Sequence, residues 1–244
     1  MSRRFLFLCL ALILAVIALL AFPRPVRPTL GQYSAEPLLI IDAGHGGEDG
    51  GATATDGTKE STINLQIALR LEALSALCGQ KCSLIRREDR SVYDADCKTV
   101  AEKKRSDLRN RVAMVNSLPG ALLISIHQNH FSDGKYSGAQ VFYGAVGNSK
   151  EHAEEIQTSL REAVDPNNHR KCKPAEGVYL MKKIRNPGVL VECGFLSNAR
   201  EAERLRQPDY QKKLAAAILA PIIRNGSETN GETETSLLLQ GVRQ

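Results

Sequence analysis

Leu38-Leu39-Ile40-Ile41-Asp42-Ala43-Gly44-His45-Gly46-Gly47 is the stretch on which the fold turns. Four consecutive apolar residues, two of them β-branched, are the pattern of a strand buried on both faces. Leu122 to Ile126 repeats the pattern and leads straight into His127, and Val189 to Val191 repeats it and ends at Glu192. Between these runs the apolar spacing changes to that of a helix. Ile63, Ile67, Leu71 and Leu74 share one helical face, as do Leu108, Val112 and Val115, then Ile156, Leu160 and Val164, then Tyr210, Leu214, Ala217 and Ile218. Cys82 to Ile85, Ala139 to Tyr143 and Val178 to Met181 complete the expected strands. The alternation predicts a single α/β domain, with a mostly parallel central sheet and helices on both faces. In such sheets ligands gather at the carboxyl ends of the strands.

Working outward, this domain occupies residues 38–224. Residues 28–37 belong to a proline-rich, polar stretch that reads as a linker. Residues 225–244 are polar and biased in composition and read as a disordered tail. Residues 1–27 contain Phe5 to Phe22, an uncharged apolar run of 18 residues. As a helix it would span roughly 27 Å, close to the hydrocarbon thickness of a bilayer. Arg3 and Arg4 precede it, so it reads as a signal anchor or a signal peptide, with the domain on the extracytoplasmic side.

The net charge is +5, and Arg3, Arg4, Arg24 and Arg27 carry four of those charges before residue 28 without one acid. The folded part is therefore nearly neutral, which excludes a basic nucleic-acid-binding domain. No tryptophan and 5% aromatic residues argue against an aromatic-rich carbohydrate platform. Of the six cysteines, Cys9 lies in the apolar run and Cys78, Cys82, Cys97, Cys172 and Cys193 remain. Their spacing is not that of a zinc ribbon. It leaves open one or two disulfides or mostly buried thiols. Strand alternation turns Cys193 away from Glu192, towards the core.

His45, His127 and Glu192 all sit at the ends of buried strands, where a charged or polar group is costly unless paired or used. Glu60 opens the helix that carries Ile63 and Ile67. Two histidines and a carboxylate are the protein ligands of many catalytic zinc sites. A further carboxylate beside the metal would act as general base and acid. Each residue also has a plainer reading. His45 would be a loop histidine satisfied by backbone, His127 a core histidine, Glu60 a helix-start acid favoured by the macrodipole, and Glu192 a partner for Arg87 or Arg111. Asp42 is a candidate for fixing a histidine tautomer and Asn129 for touching substrate. His130, His152 and His169 read as surface residues, and Lys103-Lys104-Arg105 as a solvated helix face.

From about Leu38 to Ile223 the chain resembles the zinc-dependent N-acetylmuramoyl-L-alanine amidases of the Amidase_3 type. The resemblance rests on Ile41 to Gly47, Lys59-Glu60 before Asn64-Leu65, Arg87 before Asp89, and Leu108 through Arg111-Val112-Ala113 to Asn116. It continues in Ser125-Ile126-His127 with Asn129, Gly138 to Tyr143, and Leu190 to Asn198. It implies Zn²⁺ held by His45, Glu60 and His127, with Glu192 as the catalytic carboxylate. The reaction implied is cleavage of the amide between the lactyl group of N-acetylmuramic acid and L-alanine in peptidoglycan. Ser137 to Tyr143, Val178 to Lys182 and Pro187 to Glu192 are most similar to the germination-specific, CwlD-like branch of spore formers. That branch implies work in spore cortex. The expected partners are peptidoglycan, the membrane through the N-terminal helix, and an accessory sporulation protein, with no nucleic acid. The competing readings are a non-catalytic wall-binding relative and a zinc peptidase or deacylase on the same scaffold.

Overall fold

The computed structural model describes residues 38–241, with side chains described as far as residue 224. The apolar run Phe5 to Phe22 and the linker lie outside the described residues. Among the described residues, no helix is long and apolar enough to cross a membrane.

Six strands form one sheet: β1 (Leu39–Ala43), β2 (Cys82–Leu84), β3 (Leu122–Asn129), β4 (Gln140–Tyr143), β5 (Lys173–Pro174) and β6 (Gly188–Phe195). Their order is β2-β1-β3-β6-β4-β5. β2, β1, β3 and β6 run parallel, β4 lies antiparallel to β6, and β5 is parallel to β4. The helices are α1 (Glu60–Leu77), α2 (Val100–Asn116), α3 (Ser149–Ala163), α4 (Tyr179–Lys183), α5 (Ala199–Arg206) and α6 (Pro208–Gly241). α2 opens on a capping box, in which Thr99 and Glu102 satisfy each other's backbone N–H groups.

The two sheet faces bury different cores. Leu39, Ile41, Leu122, Ile124, Val189 and Val191 pack with Ile63, Ile67, Ile156, Leu160, Leu214 and Ile218 of α1, α3 and α6. Ile40, Leu123 and Leu190 face the other way and pack with Val115, Leu180 and Met181 of α2 and α4. Strand alternation then places the next residues on this second face, Asp42, Ser125, His127 and Glu192, one step further towards the carboxyl ends. The apolar layer on this side thus gives way to a polar one, which is where the site lies.

One expectation changes. Val178 to Met181 is not a strand. Val178 is extended and caps α4, whose buried positions Leu180, Met181 and Ile184 have helical spacing. Gly177, at φ +87°, turns the chain into this short helix, and the Lys182 and Ile184 amides bond back to Val178 and Leu180. The backbone of the final helix continues through Gly241, across the residue-224 boundary. The five described cysteines are all unpaired, and of these only Cys193 is fully buried.

Candidate metal centre

His45 sits in the turn that leaves β1. Its φ of +60° is the single left-handed non-glycine value among the described residues. The turn tolerates this because both sides of it are tied down. Gly46 and Asp49 exchange backbone hydrogen bonds of 2.8 and 3.2 Å, and Arg111 donates to the His45 carbonyl at 2.8 Å. Buried Arg86 donates to the carbonyls of Ala43, Gly44 and Ser61 at 2.8, 3.1 and 2.9 Å. Arg86 therefore joins the end of β1 to the start of α1. Neighbouring Arg87 lies at the surface and pairs with Glu72.

Glu60 enters from the first turn of α1, with a side chain only 5% exposed. Its Oε1 lies 3.3 Å from His45 Nε2 and 2.9 Å from His127 Nδ1. The ligand atoms of the three residues lie within 4.8 Å of one another. Ligands bound to zinc at 2.0–2.1 Å in a tetrahedron stand about 3.3 Å apart, so this donor set suits such an ion in chemistry and spacing. Neighbouring groups hold it in place. Glu60 Oε2 accepts the Ala52 N–H at 2.9 Å, and Oε1 accepts from Gln128 N at 3.1 Å and Asn64 Nδ2 at 3.3 Å. His45 Nδ1 is 3.0 Å from Asp49 Oδ2, which keeps a proton on that nitrogen and leaves Nε2 as the donor atom for a metal.

Two glycines make room for the cluster. A Cβ on Gly44 would stand 2.2 Å from the His127 ring, and one on Gly51 would stand 2.5 Å from Glu60 Oε2. Gly44→Ala is therefore expected to displace His127 and weaken zinc binding roughly ten- to hundredfold, as loss of ligand support generally does. Titration calorimetry of the two proteins checks it, and equal affinities would mean that His127 is not a ligand.

The charges around the cluster are strongly coupled. Burial disfavours charge on His45, yet Asp49 and Glu60 overcome it and raise its pKa to about 9. Burial also opposes ionisation of Glu60, but His127 and His45 hold it far below the ordinary carboxylate range. Glu192 behaves in the opposite way. It pairs with His127 across β3 and β6, and its Oε2 is buried without a hydrogen-bond partner. Burial, with help from Glu60, pushes its pKa up to about 7 against the pull of both histidines. A carboxyl poised near neutrality beside a cation site is the requirement for moving protons in both directions.

The structure thus brings His45, Glu60, His127 and Glu192 to one end of β1, β3 and β6. Glu192 pairs with neither Arg87 nor Arg111. Arg111 is committed to Asp42 and Asp107, and Asp42 also accepts from Ser125 Oγ at 2.7 Å. Asp42 therefore supports the arginine rather than a histidine tautomer, and Asp49 takes the tautomer-fixing position. Asn129 Oδ1 accepts the amide of His130. Sequence reading missed Arg86 and Gln128, whose types gave no sign of a role, and assigned none to Asn64 beyond its place in the resemblance. Asp49 carried one faint signal, its place four residues after His45.

An α/β domain that gathers a His–Glu–His cluster able to hold a metal ion beside a spare buried carboxylate has the make-up of a hydrolase site. The family model of the N-acetylmuramoyl-L-alanine amidases, Amidase_3, matches residues 39–224, and the chain belongs to that family. It is 38% identical over 198 residues to the germination-specific N-acetylmuramoyl-L-alanine amidase of Bacillus subtilis, covering 81% of this chain and 83% of that one. It is 33% identical over 195 residues to the amidase LytC of the same organism, covering 79% of this chain but 35% of that longer protein. Among solved structures it resembles the CwlD amidase of Clostridioides difficile in complex with the GerS lipoprotein. That likeness has a TM-score of 0.73 and 40% identity, and covers 81% of this chain and 99% of that one.

Proposed function

We propose that the chain hydrolyses the amide joining the lactyl group of N-acetylmuramic acid to L-alanine of the peptidoglycan stem, with zinc held by His45, Glu60 and His127. When bound there, zinc supplies a Lewis acid for the scissile carbonyl and brings the pKa of a coordinated water down towards about 7. The remaining work belongs to the chain. Glu192 Oε2 takes a proton from the attacking water and returns it to the departing alanine nitrogen. Asp49 and Glu60 fix the histidine rings, and Arg86 and Arg111 hold the turn on which His45 stands. The single observation that carries this reading is the unpartnered Glu192 Oε2 opposite His127 in the strand register. An inert wall-binding protein would gain nothing from a buried carboxyl without a partner.

The likeness to a germination-specific amidase supports a role in spore cortex maturation or germination, on the extracytoplasmic side. The apolar run before residue 23 supports a membrane anchor or export signal, and the boundaries at residues 28, 38 and 224 divide it, the linker, the catalytic domain and the tail. The CwlD structure contains a lipoprotein, which supports an accessory protein as a partner here too. Digestion of purified peptidoglycan with mass spectrometry tests the reaction. Free stem peptides beginning at L-alanine are expected, with release abolished by a chelator and restored by Zn²⁺. Peptides cut internally would indicate a peptidase, and no release a binding protein.

A further inference from the structure

From His127 and Glu192 the site opens into a cleft of about 360 Å³ between α2 and the turn that starts α4. Its far wall is apolar, formed by Leu108, Val178 and Leu180, with Tyr179 beside them. Apart from the histidines, its basic lining residues are Arg111 and Lys104. Arg111 has no capacity left for a ligand, because Asp42, Asp107 and two backbone carbonyls take its donors. Lys104 is different. Its side chain is 61% exposed, and its nearest acid, Asp49 Oδ2, stands 3.8 Å from Nζ, beyond hydrogen-bond distance. That acid is already held by His45 Nδ1 at 3.0 Å, and its other oxygen by Gly51 N at 3.2 Å. Neighbouring Lys103, by contrast, is bound to both oxygens of Glu48.

The walls near Lys104 also hold Asp49 and Asp107, but His45 and Arg111 already pair with them, which leaves Lys104 as the lining cation open to an anionic ligand. The substrate has two arms, a sugar acid and a peptide. In the peptide, the residue after L-alanine is a γ-linked glutamate, whose α-carboxylate is either free or amidated. We infer that Lys104 reads this position, pairing with the free α-carboxylate of the stem peptide while the chain lies along the apolar wall, so that the enzyme distinguishes acid from amidated stems. The inference rests on the amidase reading above.

Kinetics on two compounds test it, using the full chain loaded with zinc: N-acetylmuramoyl-L-alanyl-γ-D-glutamyl-L-lysine, and the same compound with the glutamyl α-carboxylate amidated. The wild type is expected to favour the acid about fivefold in kcat/KM, the size of one partly exposed ion pair. Lys104→Ala should bring the ratio to about one through a higher KM for the acid, with zinc content kept, and Lys104→Arg should preserve the ratio. A wild type without preference, or a Lys104→Ala variant that retains it, overturns the inference while leaving the amidase reading intact. Lys104→Ala that loses zinc would instead make Lys104 a support for Asp49 and also overturn it. Failure of the wild type to cleave either compound overturns both readings.

Discussion

Glu192→Gln is expected to keep zinc at wild-type stoichiometry and to lose turnover by roughly 10²–10⁴-fold, the usual contribution of a positioned proton carrier. The amide matches the carboxylate in size but takes up no proton at neutral pH, so binding and fold should survive while the chemical step fails. Metal analysis beside the peptidoglycan digestion separates these effects. A variant with full activity would remove Glu192 from the mechanism, and a variant without metal would make it a ligand. The wild-type pH profile gives an independent reading. The base must be ionised to accept a proton, so kcat/KM should fall as pH drops through its pKa. Burial sets that value to about 7 in the cation-free chain, and a divalent cation nearby favours the carboxylate. The acid limb of the loaded enzyme is therefore expected below pH 7, with zinc content constant across it.

The parallel core of the sheet and the end at which it works were legible because burial on both faces leaves a nearly unmixed apolar strand. Polar residues closing β1, β3 and β6 then stand out against that background. His45, His127 and Glu192 were visible for this reason. Glu60 stood out less, as the acid opening the helix after the first strand, because an acid in the first turn of a helix is ordinary. Parts of the frame were not legible. β5 is two residues long, and α4 places its buried residues over barely one turn, too few to distinguish a period of 3.6 from one of 2. α5 has few apolar residues, and its buried Glu201 gave no sequence signal. That carboxylate accepts the amides of Gly138 and Phe195 at 3.0 and 2.8 Å, contacts that depend on tertiary placement. The same limit hid Arg86. Its value lies in carbonyl groups at the end of β1 and the start of α1, and nothing at position 86 announces where those carbonyls will be.

Arg111→Met should cost roughly 3–5 kcal/mol of stability at pH 7, because it leaves Asp42 buried and ionised without its cation. Asp42 is 1% exposed and the Arg111 side chain 3%, so little water reaches either group. Arg111 also ties α2 to the turn carrying His45, so its loss should loosen the cation site before the domain unfolds. The sign of the pH effect is specific. In the wild type, burial alone would raise the Asp42 pKa, but Arg111, then Ser125, hold it below the ordinary value. The stability this pairing adds is present above the unfolded pKa of about 3.9 and is lost as pH falls through the lower folded value. Without Arg111 the strongest opposing charge is gone, burial prevails, and the folded Asp42 pKa rises above that of the unfolded chain. The variant should then recover on acidification, as Asp42 takes a proton and becomes cheaper to bury. Urea unfolding at pH 7 and pH 5 measures this, and the gap between wild type and variant should narrow at the lower pH. Adding Asp42→Asn to Arg111→Met should recover part of the loss at pH 7 and make the gap insensitive to pH. A gap that stays constant for Arg111→Met alone would show that lost packing and carbonyl contacts, rather than the stranded carboxylate, account for its cost.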